Sequence, residues 1–195
     1  ITLAHGDHEV AKKLIANHCR HHKIATDDWK ATHFIRDPRT LIASSVKYHL
    51  DSAESWLHQP SPKTGQTYQQ RIRGLPNDAE RAIFEMKNSA GRNIRSMLEI
   101  EDAPLNKATI KLEDLSWDDT LSPIHRMLLH MGLRSTSLAR CIAIATSECL
   151  HAMSEMPSHA RLGAKPNGAA ALSGKALEFY QSSFGNAHRR LGYCD

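Results

Sequence analysis

Hydrophobic residues recur along this chain at two spacings, which predict helices interrupted by a few short strands. A spacing of about three to four residues, as in Ile42, Val46 and His49-Leu50, is typical of a helix with one buried face. The longest such pattern covers residues 77–100. Two shorter apolar runs lack this spacing and predict strands. The predicted strands are 31–35 and 108–112, and the predicted helices are 7–17, 38–50, 77–100, 119 or 122 to 131, 137–153 and 176–191.

The order of these elements predicts the fold class. Each predicted strand is followed by a helix, as in α/β proteins whose helices cover a parallel sheet. Residues 59–67 and 157–174 are rich in Pro, Gly and small residues and are predicted loops, and no repeat or linker divides the chain. We therefore predict one helix-rich α/β domain over residues 1–195. Two strands are too few for a complete sheet of this kind, so we expect its N-terminal part to be missing.

The composition fits a soluble protein of the cytoplasm. The 195 residues are 41% hydrophobic and 24% charged, an ordinary balance for a globular domain. No apolar run approaches the ~20 residues of a membrane-spanning helix, and the first residues do not resemble a signal peptide. The four cysteines form no CxxC pair, which favours a reducing compartment. The Lys and Arg behind the net charge of +4 are dispersed, which argues against nucleic-acid binding and leaves a small anionic ligand open.

The junction between the first strand and its helix has the features of an anion site. Ligands of open parallel sheets bind beyond the carboxyl ends of the strands, where Arg36 stands. Asp37 and Pro38 predict an N-cap and a first helical residue, so free N–H groups and the positive end of the helix dipole follow. Arg36 adds a planar charge suited to phosphate, and Arg39 adds a charge that an anion would offset. Ser44 lies on the helical stripe of Asp37.

Residues 33–45 resemble the 3′-phosphate motif of the sulfotransferases. In that family, an apolar strand ends in an Arg-Asp-Pro-Arg type of turn, with a Ser eight residues after the first Arg, as here. The resemblance implies a P-loop-type fold and transfer of a sulfuryl group from 3′-phosphoadenylyl sulfate (PAPS), leaving adenosine 3′,5′-bisphosphate. Arg36 and Ser44 would hold the 3′-phosphate. The alternative is a helix start that uses Asp-Pro by chance, with Arg36 in a surface ion pair.

Two further segments resemble family landmarks, each with a departure. Residues 110–115 are similar to a strand ending in Tyr-Glu-Asp-Leu, with Leu112 in place of the aromatic residue. Arg161 and Gly163 match a loop that folds over the 3′-phosphate, although Leu162 replaces the usual Lys and the Trp after the glycines is absent. The resemblance implies that Arg161 and Gly163 complete the donor site. Without it, the two segments are a strand with an acidic turn and a flexible surface loop.

A histidine cluster at residues 18–22 offers a general base. Sulfuryl transfer requires a group that takes a proton from the acceptor, and histidine suits that role near neutral pH. Residues 14–18, which also fit a helix end, resemble the family's strand that leads to its base, so His18 is the first candidate, before His21 and His22. The cluster also fits a metal site or a His-rich surface turn. Because it has no second Cys at ligand spacing, we predict no metal.

The glycine-rich loop that opens the family's fold is not found. In sulfotransferases this loop cradles the 5′-phosphosulfate of the donor with backbone N–H groups. No such loop precedes His5, and Lys12 and Lys13 lie on a predicted helix. Either the opening strand–loop–helix lies outside this sequence or the chain is a degenerate relative. We expect the former, because Ile1 is not a natural start.

Three hypotheses on function follow. The first is a cytoplasmic sulfotransferase that acts on a hydroxyl or amine of a small-molecule or glycan acceptor. The second is a non-catalytic or truncated relative that binds the nucleotide without transfer. The third is a helical interaction module whose 77–100 helix packs on a partner. The acceptor pocket is expected to include the variable loop 54–68.

Overall fold

The computed structural model describes residues 30–117, 120–148 and 172–194. Helices account for most of these residues, and two strands form a parallel sheet, which confirms the predicted helix-rich α/β character. The strands are β1 (Ala31–Ile35) and β2 (Lys107–Lys111). The helices are α1 (Pro38–Asp51), α2 (Tyr68–Arg73), α3 (Asp78–Lys87), α4 (Ser89–Asp102), α5 (Leu112–Trp117), α6 (Ser122–His130), α7 (Ser135–Glu148), α8 (Gly174–Phe184) and α9 (Ala187–Arg190), with a 3-10 helix at Ser55–His58.

The described residues fall into two compact units. The first comprises residues 30–36 and 99–148 and contains both strands. The second comprises residues 37–98 and 172–194 and contains a helical core. The single domain over residues 1–195 stays a prediction.

The two strands of the first unit pair in register. Ala31 lies opposite Lys107 and Ile35 opposite Lys111, so the carboxyl ends of the strands coincide. β1 has the predicted bounds. β2 begins and ends one residue before the predicted strand, because Leu112 already opens α5.

The core of the second unit is built from one face of each main helix. α1 packs on α3, and α3 packs on α8. The predicted stripe of α1 is confirmed, since Ile42, Val46 and His49 are buried and Leu50 packs against the core. The buried cluster consists of Ile42, Val46, Ala82, Met86, Ala90, Ile94, Leu172, Ala176, Tyr180, Phe184 and Ala187.

The predicted long helix at 77–100 is wrong in one respect, since it consists of α3 and α4. Asn88 leaves the helical conformation, with φ −125° and ψ −115°, and its side-chain amide donates to the Phe84 carbonyl at 2.7 Å. The apolar spacing nevertheless continues across the break, because Met86, Ala90 and Ile94 are all buried. A periodic pattern therefore does not distinguish one helix from two helices that share a core.

The other helix boundaries differ from the predictions at identifiable points. The predicted helix 176–191 ends at Phe184 and resumes as α9, because Gly185 has φ +55°, a conformation that favours glycine. α6 begins at Ser122, and α7 begins two residues before the predicted helix 137–153. The predicted helix 7–17 and most of the predicted loop 157–174 lie outside the described residues. No helix in the described ranges combines the length and apolar character that crossing a membrane requires.

Candidate functional site

The predicted phosphate-binding turn has the predicted local structure. Arg36 follows β1, and Asp37 caps α1 by accepting a hydrogen bond from the Arg39 N–H at 2.9 Å. Pro38 is the first helical residue, where its missing N–H leaves no bond unmade. The Thr40 hydroxyl donates to the Asp37 carbonyl at 3.0 Å, which further fixes the first turn.

Arg39 does not have the role that the sequence predicts. Its side chain is buried, and its Nη2 donates to Asp37 Oδ2 at 3.1 Å and to the Cys194 carbonyl at 2.7 Å. A buried ion pair with these hydrogen bonds neutralises the charge within the protein. Arg39 therefore joins α1 to the C-terminal segment and does not supply its charge to a ligand.

Tyr180 of α8 lies near Asp37 and Arg39 in the second unit. Burial, and to a lesser degree the Asp37 carboxylate, raises the pKa of Tyr180 to about 12. The protonated hydroxyl accepts a hydrogen bond from the His188 N–H at 3.2 Å. Tyr180 thus links α8 to α9.

The segments that follow β1 and β2 lie at the same edge of the sheet. Since Ile35 is opposite Lys111, Arg36 and Leu112 follow at the same edge of the sheet. Glu113 and Asp114 occupy the first turn of α5, where carboxylates complement the helix dipole. The carboxyl edge of the parallel pair therefore carries Arg36 and the Leu-Glu-Asp segment that begins at Leu112.

The remaining predicted site residues are placed as follows. Ser44 is half-buried in α1 and lies on the stripe of Asp37, Leu41 and Tyr48. Arg36 belongs to the first unit and Ser44 to the second. The predicted base candidates and lid residues, His18, His21, His22, Arg161 and Gly163, lie outside the described residues.

Sequence reasoning missed a buried histidine in β1. His33 is 3% exposed, and its Nδ1 lies 3.3 Å from Glu101 Oε2, which also accepts from the Thr109 hydroxyl at 3.3 Å. The other ring nitrogen, Nε2, is buried without a hydrogen-bond partner among the described residues. Burial lowers the pKa of His33 below its ordinary value of 6.5, and the Glu101 carboxylate offsets only part of that shift. The alternation of strand positions indicates that His33 and Ile35 share a face, which was the available signal.

We expect the buried His33 to make the protein less stable in mild acid. Below pH 6.5 the unfolded chain binds a proton at this histidine, whereas the folded chain resists protonation until a lower pH, so stability falls as the pH falls. The slope from this residue is at most about 1.4 kcal/mol per pH unit. Urea unfolding at several pH values from 7.5 to 5.5 measures it. His33→Gln should remove this part of the slope, with the exposed His58→Gln variant as the control; an unchanged slope in His33→Gln would contradict the assignment.

A second buried polar centre lies between α1, α2 and α3. Glu85 is completely buried, and its Oε1 lies 2.6 Å from His49 Nδ1 and 3.0 Å from the Tyr68 hydroxyl, which donates to it. Burial and the Glu85 carboxylate raise the pKa of Tyr68 well above its ordinary value of 10. The sequence indicates that His49 lies on the buried stripe of α1, but no local signal pairs it with Glu85.

Aromatic rings surround this centre. The centre of the His49 ring lies 5.2 Å from the ring centres of both Trp56 and Tyr68. The centres of the Trp56 and Tyr68 rings are 5.1 Å apart, and all three pairs are T-shaped. Tyr68 in turn meets Phe84 at 5.0 Å. The hydrogen bonds of Glu85 and these ring contacts therefore position Trp56 and Tyr68.

Comparison with protein-family models, curated proteins and solved structures finds no match to this chain.

Proposed function

We propose that this chain is part of a sulfotransferase that moves a sulfuryl group from PAPS to a hydroxyl or amine of a small-molecule or glycan acceptor in the cytoplasm. The observation that carries the proposal is Arg36 at the carboxyl end of a parallel strand, directly before the Asp-Pro cap of α1. A P-loop-type sheet, of which β1 and β2 would be two strands, is part of the proposal.

The 3′-phosphate would be held by three contributions. The Arg36 guanidinium matches two phosphate oxygens in a forked geometry. The N-terminus of α1 offers the positive end of its dipole, and the Ser44 hydroxyl offers a donor from the next turn. Asp37 neutralises Arg39, and the resemblance to the 3′-phosphate motif assigns Arg36 to the ligand.

The chemical step requires a base that the sequence places at residues 18–22. His18, or else His21 or His22, would take the proton of the acceptor as its oxygen or nitrogen attacks sulfur. The bond between sulfur and the bridging oxygen of the 5′-phosphate breaks, and adenosine 3′,5′-bisphosphate leaves. Arg36 and Ser44 would hold this nucleotide before and after transfer, so the donor half of the site can be tested by binding alone.

Nucleotide binding is expected to raise the melting temperature of the full chain. Ligand at about 100 times its Kd stabilises the folded state by about 2.7 kcal/mol. For a chain of this length that corresponds to a rise in Tm of roughly 5–10 °C. Adenosine 3′,5′-bisphosphate should produce the rise, and Arg36→Ala should abolish it. Differential scanning fluorimetry measures both.

The matched control is Lys47→Ala, which removes an exposed cation from the same helix and should keep the rise in Tm. If the unmodified chain shows no rise, both the enzyme and the nucleotide-binding relative are wrong, and a helical interaction module becomes the better hypothesis. No glycine-rich phosphosulfate loop precedes His5, and a product assay with PAPS therefore separates a transferase from a relative that only binds.

A further inference from the structure

A cleft of about 580 Å³ lies in the second unit and uses none of the residues assigned to the donor. Its lining includes two rings, Trp56 and Tyr68, and three cations, Arg71, Lys87 and Arg92. No carboxylate lines it among the described residues. Small-molecule sites usually have volumes of about 300–1,000 Å³, so the cleft suits a compact ligand.

The three cations are not neutralised by the described part of the protein. The Arg71 guanidinium lies 5.0 Å from the centre of the Phe84 ring, and the Lys87 ammonium lies 5.1 Å from that of Phe179. A ring face orients a cation by its quadrupole but carries no net charge. No ion pair joins Arg71, Lys87 or Arg92 to a carboxylate of the described residues. The cleft therefore concentrates positive charge, which attracts anions.

The two rings of the cleft are fixed before a ligand arrives. The Trp56 indole N–H donates to the Glu54 carboxylate, which also accepts from the Tyr48 hydroxyl at 2.7 Å. The Tyr68 hydroxyl donates to the buried Glu85. Trp56 is nevertheless 39% exposed, although its ring packs on other rings and its N–H is hydrogen-bonded. Fixed, partly exposed rings bind flat ligands at a low entropic cost.

We propose that this cleft binds a planar ring that carries a phosphate or sulfate ester. Arg71, Lys87 and Arg92 contact the anion, and Trp56 and Tyr68 pack against the ring. The residues of this site differ from those of the proposed donor site, since the lining includes neither Arg36 nor Ser44. It requires no sulfuryl transfer.

Isothermal titration calorimetry on the full chain tests the site with 4-nitrophenyl phosphate and 4-nitrophenyl sulfate. Inorganic phosphate is the probe for the anion alone, and the neutral 4-nitrobenzyl alcohol is the probe for the ring alone. Each of these two probes should bind at least about tenfold more weakly than the esters, since both the charge and the ring of the ligand contribute. The two esters show which anion is preferred. Binding should weaken with added salt, because the anion contacts are solvent-accessible.

Variants assign the residues. Replacing both Arg71 and Arg92 by Gln should weaken ester binding about 100-fold, at about tenfold for each charge-assisted contact, and Trp56→Leu should weaken it about tenfold. Arg95→Gln is the matched control, because Arg95 also lies over a ring, that of Phe184 at 5.5 Å, but does not line the cleft. Arg95→Gln should bind as the unmodified chain does.

Two results would overturn the proposal. One is ester affinity that falls no further in the Arg71, Arg92 double variant than in Arg95→Gln. The other is inorganic phosphate that binds as tightly as the aryl esters, since the rings then contribute nothing. Neither result bears on the donor site, which is tested through Arg36 and the nucleotide.

Discussion

Replacing Glu85 by Ala is expected to lower the free energy of unfolding by about 3–5 kcal/mol, because two buried groups lose their hydrogen-bond acceptor and a cavity opens. The Glu85 carboxylate has no exposed surface and accepts hydrogen bonds from His49 and Tyr68. Without it, both of these groups lose their acceptor inside the protein, and the shortened side chain leaves a cavity. Folded domains retain only about 5–15 kcal/mol in total, so this loss is a large fraction.

Urea unfolding followed by far-UV circular dichroism measures the change. Glu85→Gln keeps the volume and one acceptor oxygen but not the charge, so its loss should be intermediate, about 1–3 kcal/mol. If Glu85→Ala does not fold, Glu85→Gln carries the test. The control in the same helix is Asp78→Ala, whose side chain is 87% exposed and pairs with Arg81, and it should cost less than about 1 kcal/mol. A loss below about 1 kcal/mol for Glu85→Ala would contradict a buried, paired carboxylate.

The Glu85 carboxylate also connects stability with the proposed cleft. Tyr68 donates to Glu85 and lines the cleft, and Trp56 packs on both Tyr68 and His49. Glu85 is therefore a positioning residue for the two rings. Loss of Glu85 should weaken aryl ester binding more than inorganic phosphate binding, because the rings and not the cations lose their support.

Local signals predicted the turn around Arg36 well. An Asp-Pro pair fixes a helix start through the cap and the proline φ angle, so the start of α1 follows from neighbouring residues. The bounds of β1 likewise follow from a short apolar run that ends at a charged residue. Arg36 and Ser44 stand out in the sequence for the same reason, since the pattern lies within residues 36–44 of one strand–helix junction.

Features that depend on distant residues were not predictable from the sequence. Arg39 looks like a free cation in the sequence, yet the Cys194 carbonyl, supplied by the far end of the chain, helps to bury it. Glu85 looks like a solvent-facing residue of a helix, and its partner His49 is remote in the sequence. The proposed cleft combines Trp56, Arg71 and Arg92 from three elements, and no spacing rule brings such residues together.

The break at Asn88 is the clearest case, because the apolar spacing runs through it. The sequence does contain one signal, a glycine three residues later. In α4, Gly91 is buried where the chain folds back on the Met86 carbonyl. A Cβ atom at Gly91 would lie 2.8 Å from the Met86 carbonyl carbon, and its oxygen would be nearer still. The described arrangement of α3 and α4 therefore leaves no room for a side chain at residue 91.

Gly91→Ala is therefore expected to destabilise the protein, by about 3 kcal/mol, the upper part of the usual range for overpacking. Ordinarily Ala stabilises a helix by about 1 kcal/mol relative to Gly, so the sign itself is informative. The clash is with backbone atoms, which cannot move aside as a flexible side chain can. The Phe184 ring, 3.4 Å from the added Cβ, also limits any shift of the new methyl group. Thermal and urea unfolding both measure the loss.

The control for Gly91→Ala is Asn93→Ala, at an exposed position of the same helix. There a better helix former replaces a poorer one without a clash, so stability should rise slightly, by at most about 0.5 kcal/mol. The two variants thus shift the stability in opposite directions, Gly91→Ala through a clash and Asn93→Ala through helix propensity. Equal or increased stability in Gly91→Ala would mean that Gly91 does not approach the Met86 carbonyl as closely as described.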